Sequence, residues 1–129
     1  LPLTPYKIPW MNSLFEDNAE FGFGIHMSYK KIRERLKKLM YEYKDKVDPE
    51  VKATFKEWID NMDNDDYTYA IKDKLENSEL PDEIRKLLDY IPSRKVWIFG
   101  GDGWAYDIGY GGLDHVLHSN ENINIMVIV

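Results

Sequence analysis

Two short apolar runs, Val96-Trp97-Ile98-Phe99 and Ile123 to Val129, bracket a stretch thick with glycine: Gly100-Gly101-Asp102-Gly103-Trp104-Ala105-Tyr106-Asp107-Ile108-Gly109-Tyr110-Gly111-Gly112-Leu113-Asp114-His115-Val116-Leu117. The runs are rich in β-branched and aromatic residues, which favour strands. The order therefore reads strand, glycine turn, helix, strand. Such a βαβ unit makes the two strands parallel. The first strand, apolar on both faces, is expected to be covered by helices on each side. Glycines at the first strand-to-helix turn let backbone N–H groups approach the oxygens of a phosphate or diphosphate at the helix N-terminus. An α/β fold with a phosphate turn is the first expectation.

Composition narrows the function classes. A formal net charge of -6 argues against a general affinity for nucleic acid or anionic membrane. No segment approaches the roughly 20 apolar residues of a membrane span, and no signal-peptide pattern is present, so a cytoplasmic protein is expected. Cysteine is absent. That excludes a disulfide framework, a thiol nucleophile and cysteine-held zinc or iron–sulfur centres within these residues. The lead-in at Leu1 and the apolar run Ile125 to Val129 both read as cuts through a longer polypeptide. The expectation is one partial domain over 1–129, with a helical region at about 28–93 and the βαβ unit at about 95–129.

Leu1 to Trp10 holds three of the six prolines and reads as extended. Ser13-Leu14-Phe15-Glu16 has the form of a capping box, so a helix should begin near it. Gly22 and Gly24 then cost about 1 kcal/mol each in a helix interior, which points either to close backbone packing or to a break between two helices. From Ile25, the positions Ile25, Tyr29, Ile32, Leu36, Leu39, Tyr43 and Val47 form one apolar helix face. Lys30, Lys31, Arg33, Arg35, Lys37 and Lys38 are read as its solvated face. Asp48-Pro49 restarts a helix with Val51, Phe55, Trp58, Ile59 and Met62 inward. Asp63-Asn64-Asp65-Asp66 lacks calcium-loop spacing and reads as a turn and N-cap for a helix over Tyr67 to Asn77. A short amphipathic helix is expected over Pro81 to Leu88.

Within the glycine turn, Asp102 stands between two glycines. If the N–H groups of Gly101, Gly103 and Trp104 face a diphosphate, the Asp102 carboxylate lies too near an anion unless a cation intervenes. A Mg²⁺ ion, which takes one or two protein oxygens and fills its shell from phosphate and water, resolves that conflict. His115 and His118 are three apart on the following helix, but no carboxylate or cysteine follows at ligand spacing, so they are read as structural. His26 is read as a packing or surface residue, and Gly109, Gly111 and Gly112 as sites of close helix–sheet packing.

The run Gly100 to Leu117, with Asn12-Ser13-Leu14-Phe15-Glu16-Asp17-Asn18-Ala19-Glu20-Phe21-Gly22, closely resembles the thiamine-diphosphate-binding domain of pyruvate:ferredoxin (flavodoxin) oxidoreductases. The resemblance implies a thiamin-diphosphate-binding fold, a parallel sheet flanked by helices and incomplete in this chain. It implies Asp102 as a Mg²⁺ ligand and Gly101 and Gly103 as the close-approach positions for the diphosphate, beside which the turn itself sets the Trp104 N–H. In that family a second motif half, of the form Asp-Thr-Glu-Val-Tyr-Ser-Asn, supplies the remaining Mg²⁺ ligands, and this sequence stops before it.

The reaction so implied is oxidative decarboxylation of pyruvate with coenzyme A to acetyl-CoA and CO₂, with electrons passing to ferredoxin or flavodoxin. The 4Fe–4S clusters and the remaining domains or subunits lie outside this chain, and the full enzyme is expected to be a homodimer in the cytoplasm or an anaerobic energy organelle. The chain alone is not expected to be active, and no catalytic residue is assigned to it. The alternative reading is a catalytically inactive truncated or split-subunit fragment with a structural or interaction role. A generic nucleotide-binding module is weaker, because Gly100 to Gly103 lacks Gly-x-Gly-x-x-Gly spacing and no Walker lysine follows.

Overall fold

The computed structural model describes residues 18–128, and of residues 18, 107 and 108 the backbone only. The elements run α1 (Asn18–Tyr43), α2 (Pro49–Asp60), α3 (Asp65–Glu76), α4 (Asp82–Arg85), β1 (Val96–Gly101), α5 (Tyr110–His118) and β2 (Ile123–Ile128). A 3₁₀ turn at Leu88–Tyr90 precedes β1, and a wide turn at Trp104–Ile108 precedes α5. The chain divides into two compact units, residues 25–95 and the remainder. The Ser13–Glu16 capping box and the extended lead-in lie outside the described residues.

In the helical unit, Leu36, Leu39, Met40, Val51, Phe55, Trp58, Ile71, Leu75, Ile84, Leu88 and Ile91 form one buried cluster. The helix starts follow local chemistry. Pro49 occupies the first turn of α2 after Asp48, where a missing N–H costs nothing. The Asn64 side chain accepts from the Tyr67 N–H at 3.0 Å and starts α3, so the acidic cluster acts as the expected N-cap. The short helix near Pro81 closes after Arg85, because the Leu87 N–H bonds Ile84 and the Tyr90 N–H bonds Leu87, tightening the chain into 3₁₀ geometry.

The basic run on α1 does not lie wholly in solvent. Arg33 is 7% exposed. Its Nη2 donates to the carbonyls of Met62 at 2.5 Å and Ile91 at 3.2 Å, and its Nε to that of Tyr90 at 3.1 Å. The guanidinium lies over the rings of Tyr29 and Trp58. The assignment of Arg33 to the solvated face is therefore corrected: the guanidinium satisfies carbonyls of the 90–91 bend, which otherwise have no helix or strand to pair with. The Trp58 indole N–H also donates to the Ile91 carbonyl. Thr68 Oγ1 accepts from the Ser93 N–H, and the Tyr29 hydroxyl donates to the Pro92 carbonyl. Side chains from α1, α2 and α3 thus hold one bend.

In the other unit, β1 and β2 pair in parallel, from Val96 opposite Ile123 to Gly101 opposite Ile128. Ile98 is buried with Ala19, Trp104, Ala105, Leu113 and Val116, against Phe23, Val96, Ile123 and Ile125. Asn120, with φ 54°, takes the left-handed conformation that ends α5 and turns the chain into β2. The fold is α/β with a small parallel sheet. On its far side Trp97 and Phe99 stack at 6.2 Å and stay about half exposed. Among the described residues β1 is therefore covered on one face, where a cover on both was expected: Ile98 points into the cluster, and its neighbours by strand alternation point away.

Gly22 and Gly24 do not break α1. A Cβ at Gly22 would stand 2.6 Å from Cγ1 of Ile98, so the first of the two expected explanations, close packing, applies there. At Gly24 no atom would lie within 4 Å. No described helix is long and apolar enough to cross a membrane.

Candidate functional site

The glycine turn begins where β1 ends. After Gly101 the backbone passes directly into a helical turn at Asp102 and Gly103, then into the wide turn Trp104–Ile108. The Gly109 N–H bonds the Trp104 carbonyl at 2.7 Å, five residues back. Such a wide turn recurs at functional sites because it re-aims the flanking backbone. Its shape is set by the Trp104 indole, which lies against both Gly100 and Gly109; a side chain at either position would overlap the ring. Trp104 is 9% exposed. Its ring belongs to the buried cluster.

Gly101 and Gly103 differ from these packing glycines. Among the described residues, a Cβ at either would meet no atom within 4 Å, and no glycine has a positive φ. Neither contact with the described residues nor backbone conformation requires glycine there. Between them Asp102 is exposed, and its Oδ1 accepts the Gly103 N–H at 2.8 Å. Among the described side chains the donor set is thus one carboxylate beside two glycine backbones that no other side chain covers. It fits a hard cation held by one protein oxygen together with an anion approaching the backbone.

The two histidines take no part in the turn. His115 meets Phe23 edge-on at 6.0 Å. His118 Nδ1 stands 3.3 Å from Asp114 Oδ1, both groups largely in solvent. No group of three or more His, Asp or Glu able to hold a metal occurs among the described residues. Of the three further glycines expected to allow close packing, Gly109 lies against Trp104 and Gly112 against the Glu20 carboxylate, whereas Gly111 is open. The approach of Glu20 to α5 was not legible in the sequence, since 92 residues separate them and neither carries a pairing signal. It brings the described end of the Asn12–Gly22 block, through Ala19, Glu20 and Gly22, against α5 and β1.

No family model matches the chain. Single proteins do. The chain is 38% identical to a probable pyruvate-flavodoxin oxidoreductase of Escherichia coli, over 99% of its own length and 12% of that protein. It is 42% identical to the pyruvate-flavodoxin oxidoreductase of Trichormus variabilis, over 99% and 12% respectively. The pyruvate:ferredoxin oxidoreductase of Moorella thermoacetica is 37% identical over 98% of the chain and 13% of that protein. The chain is a relative of one segment of the pyruvate:flavodoxin and pyruvate:ferredoxin oxidoreductases. It spans about an eighth of the length of the curated relatives it matches. The alignment runs through the helical unit as well as the glycine turn, so the likeness extends well beyond the two motif blocks.

Proposed function

We propose that this chain supplies half of the Mg²⁺ and diphosphate clamp for thiamine diphosphate in a pyruvate:ferredoxin (flavodoxin) oxidoreductase. Asp102 is the Mg²⁺ ligand, and the backbones of Gly101, Gly103 and Trp104 face the diphosphate. The observation that carries this reading is the pair Gly101 and Gly103: both are glycine where neither φ nor packing against the described residues asks for it, and they flank an exposed carboxylate. A bound anion close to the backbone supplies the missing reason.

When bound, thiamine diphosphate supplies the carbanion chemistry that decarboxylates a 2-oxo acid. The chain's own contribution is to anchor and orient. Trp104, wedged between Gly100 and Gly109, fixes the turn, and Asp102 offers one oxygen to the cation. The remaining protein ligands to the metal, the 4Fe–4S clusters, the pyruvate and coenzyme A sites and the docking site for ferredoxin or flavodoxin belong to other parts of the enzyme, a cytoplasmic or organellar homodimer in this reading. The lack of cysteine in the chain is in keeping with that division.

A second reading is a non-catalytic or split-subunit piece with an interaction role, which the chain's span of about an eighth of its relatives' length leaves open. Calorimetric titration of thiamine diphosphate with Mg²⁺ separates the two. The first reading expects saturable binding by the protein carrying this segment and at least tenfold weaker binding by Asp102→Ala. Equal binding by both would remove Asp102 from the site, and no binding by either would favour the second reading.

A further inference from the structure

Of the two glycines in α1, Gly22 is accounted for by the side chain of Ile98, whereas a Cβ at Gly24 would meet none of the described atoms within 4 Å. The φ of Gly24 is not positive either, although glycine is costly in a helix interior. Its place along the helix supplies a reason. α1 is continuous from Asn18 to Tyr43, but its two ends belong to different cores. Ala19 and Phe23 pack in the cluster around Ile98, and Leu36, Leu39 and Met40 in the cluster around Trp58. The two clusters share no residue, and from Phe23 through Ile32 no residue of α1 is buried. The boundary between the two compact units falls between Gly24 and Ile25. The chain crosses that boundary again between Lys95 and Val96, after Ser93, Arg94 and Lys95, which belong to no helix or strand.

We propose that α1 is a hinge helix with Gly24 as its pivot, so that the helical unit changes direction relative to the glycine-turn unit by bending of α1 at this residue; this holds whatever the glycine turn binds. Glycine lacks the Cβ that restricts φ and ψ and exposes its backbone to water, and both lower the resistance of a helix to bending. A hinge needs a few residues that absorb the change in φ and ψ between segments that stay rigid. Before the pivot, Gly22 abuts Ile98; after it, Tyr29 donates to the Pro92 carbonyl and Arg33 to those of Tyr90 and Ile91. Gly111 is the contrast: it too is helical and open among the described residues, but it lies inside one unit, where a pivot has nothing to move. With a rise of about 1.5 Å per residue, a kink of about 20° at Gly24 carries Tyr41 about 9 Å sideways.

Pulsed electron paramagnetic resonance between spin labels at Tyr41 and Leu117, both exposed and one in each unit, tests the proposal in the protein carrying this segment. The labels are attached through a ketone-bearing residue placed at each position, which leaves any cysteine elsewhere in the protein unlabelled. Frozen samples preserve the spread of conformations that a hinge visits on the microsecond to millisecond scale. With Gly24 in place the distances should spread over about 9 Å. Gly24→Ala should narrow that spread to half or less. Gly111→Ala, which gains the same helix propensity in α5, should leave it unchanged.

If the distributions with Gly24 and with Gly24→Ala have the same width, both broad or both narrow, Gly24 is not a pivot and the proposal fails. If Gly111→Ala narrows the distribution as much as Gly24→Ala, the effect is helix stiffening in general and the proposal fails as well. Gly24→Ala puts its methyl where none of the described atoms lies within 4 Å, so the variant keeps the fold and the comparison can be made.

Discussion

The two glycines of α1 offer a test in which one substitution at two nearby places should have opposite effects. Gly22→Ala and Gly24→Ala both replace glycine in a helix interior, and both gain about 1 kcal/mol from that alone. At Gly24 nothing opposes the gain, because the new methyl meets no atom within 4 Å. At Gly22 the methyl would stand 2.6 Å from Cγ1 and 2.7 Å from Cδ1 of Ile98. Cδ1 is the flexible end of that side chain, but Cγ1 is not, and Ile98 is 4% exposed within the cluster that holds Trp104 and Leu113. Overpacking of this kind costs about 1–3 kcal/mol. The helix gain is common to both variants and cancels, so Gly22→Ala should be about 1–3 kcal/mol less stable than Gly24→Ala. Urea unfolding followed by circular dichroism measures the difference. If Gly22→Ala proves as stable as Gly24→Ala, the packing of α1 on β1 described above is wrong.

Other consequences can be checked separately. Arg33→Met should destabilise the helical unit by about 1–3 kcal/mol, because it removes the bonds to the carbonyls of Met62 and Tyr90 and leaves that of Ile91 to the Trp58 indole alone, and the loss should appear as a lower urea midpoint. Gly109→Ala should force the Trp104 indole out of its place, costing about 1–3 kcal/mol and changing the tryptophan near-ultraviolet signal, whereas Gly111→Ala, in open space, should leave that signal unchanged. Burial, opposed by the Arg94 and Arg33 charges, raises the Tyr29 pKa above its usual value near 10. The folded state therefore holds that proton more firmly than the unfolded state does. The resulting stability is present below pH 10 and is lost as pH rises through the folded pKa. Tyr29→Phe should flatten this alkaline fall, as read from unfolding curves between pH 9 and about pH 11.

Much of the backbone was legible because its signals are local. Asn64 caps α3 with its own side chain, Pro49 opens α2, and the apolar runs around the glycine turn become the two paired strands. What escaped was set by partners distant in sequence. Arg33 sits among lysines and reads as one more surface cation, yet carbonyls 29 and 57–58 residues away take it inside. Nothing local says where the Trp104 ring goes; it lies in the cluster, against Gly100 and Gly109, where any side chain would overlap it. The glycines themselves look alike in the sequence. The neighbours a Cβ would meet are what sort Gly22, Gly100, Gly109 and Gly112, which pack against side chains, from Gly24, Gly101, Gly103 and Gly111, which meet none of the described atoms. Of these four, Gly101 and Gly103 flank the exposed Asp102, and that placement carries the functional reading.

Gly103→Ala therefore tests the central claim most directly, with folding and thiamine diphosphate binding measured on the same protein. With none of the described atoms near the new methyl and no positive φ to oppose it, stability should be unchanged or slightly raised, within about 1 kcal/mol. Affinity for thiamine diphosphate in the presence of Mg²⁺ should fall at least tenfold, because the methyl stands where the diphosphate must approach. Full stability with undiminished cofactor binding would contradict the account, since the glycine would then serve neither the fold nor the ligand.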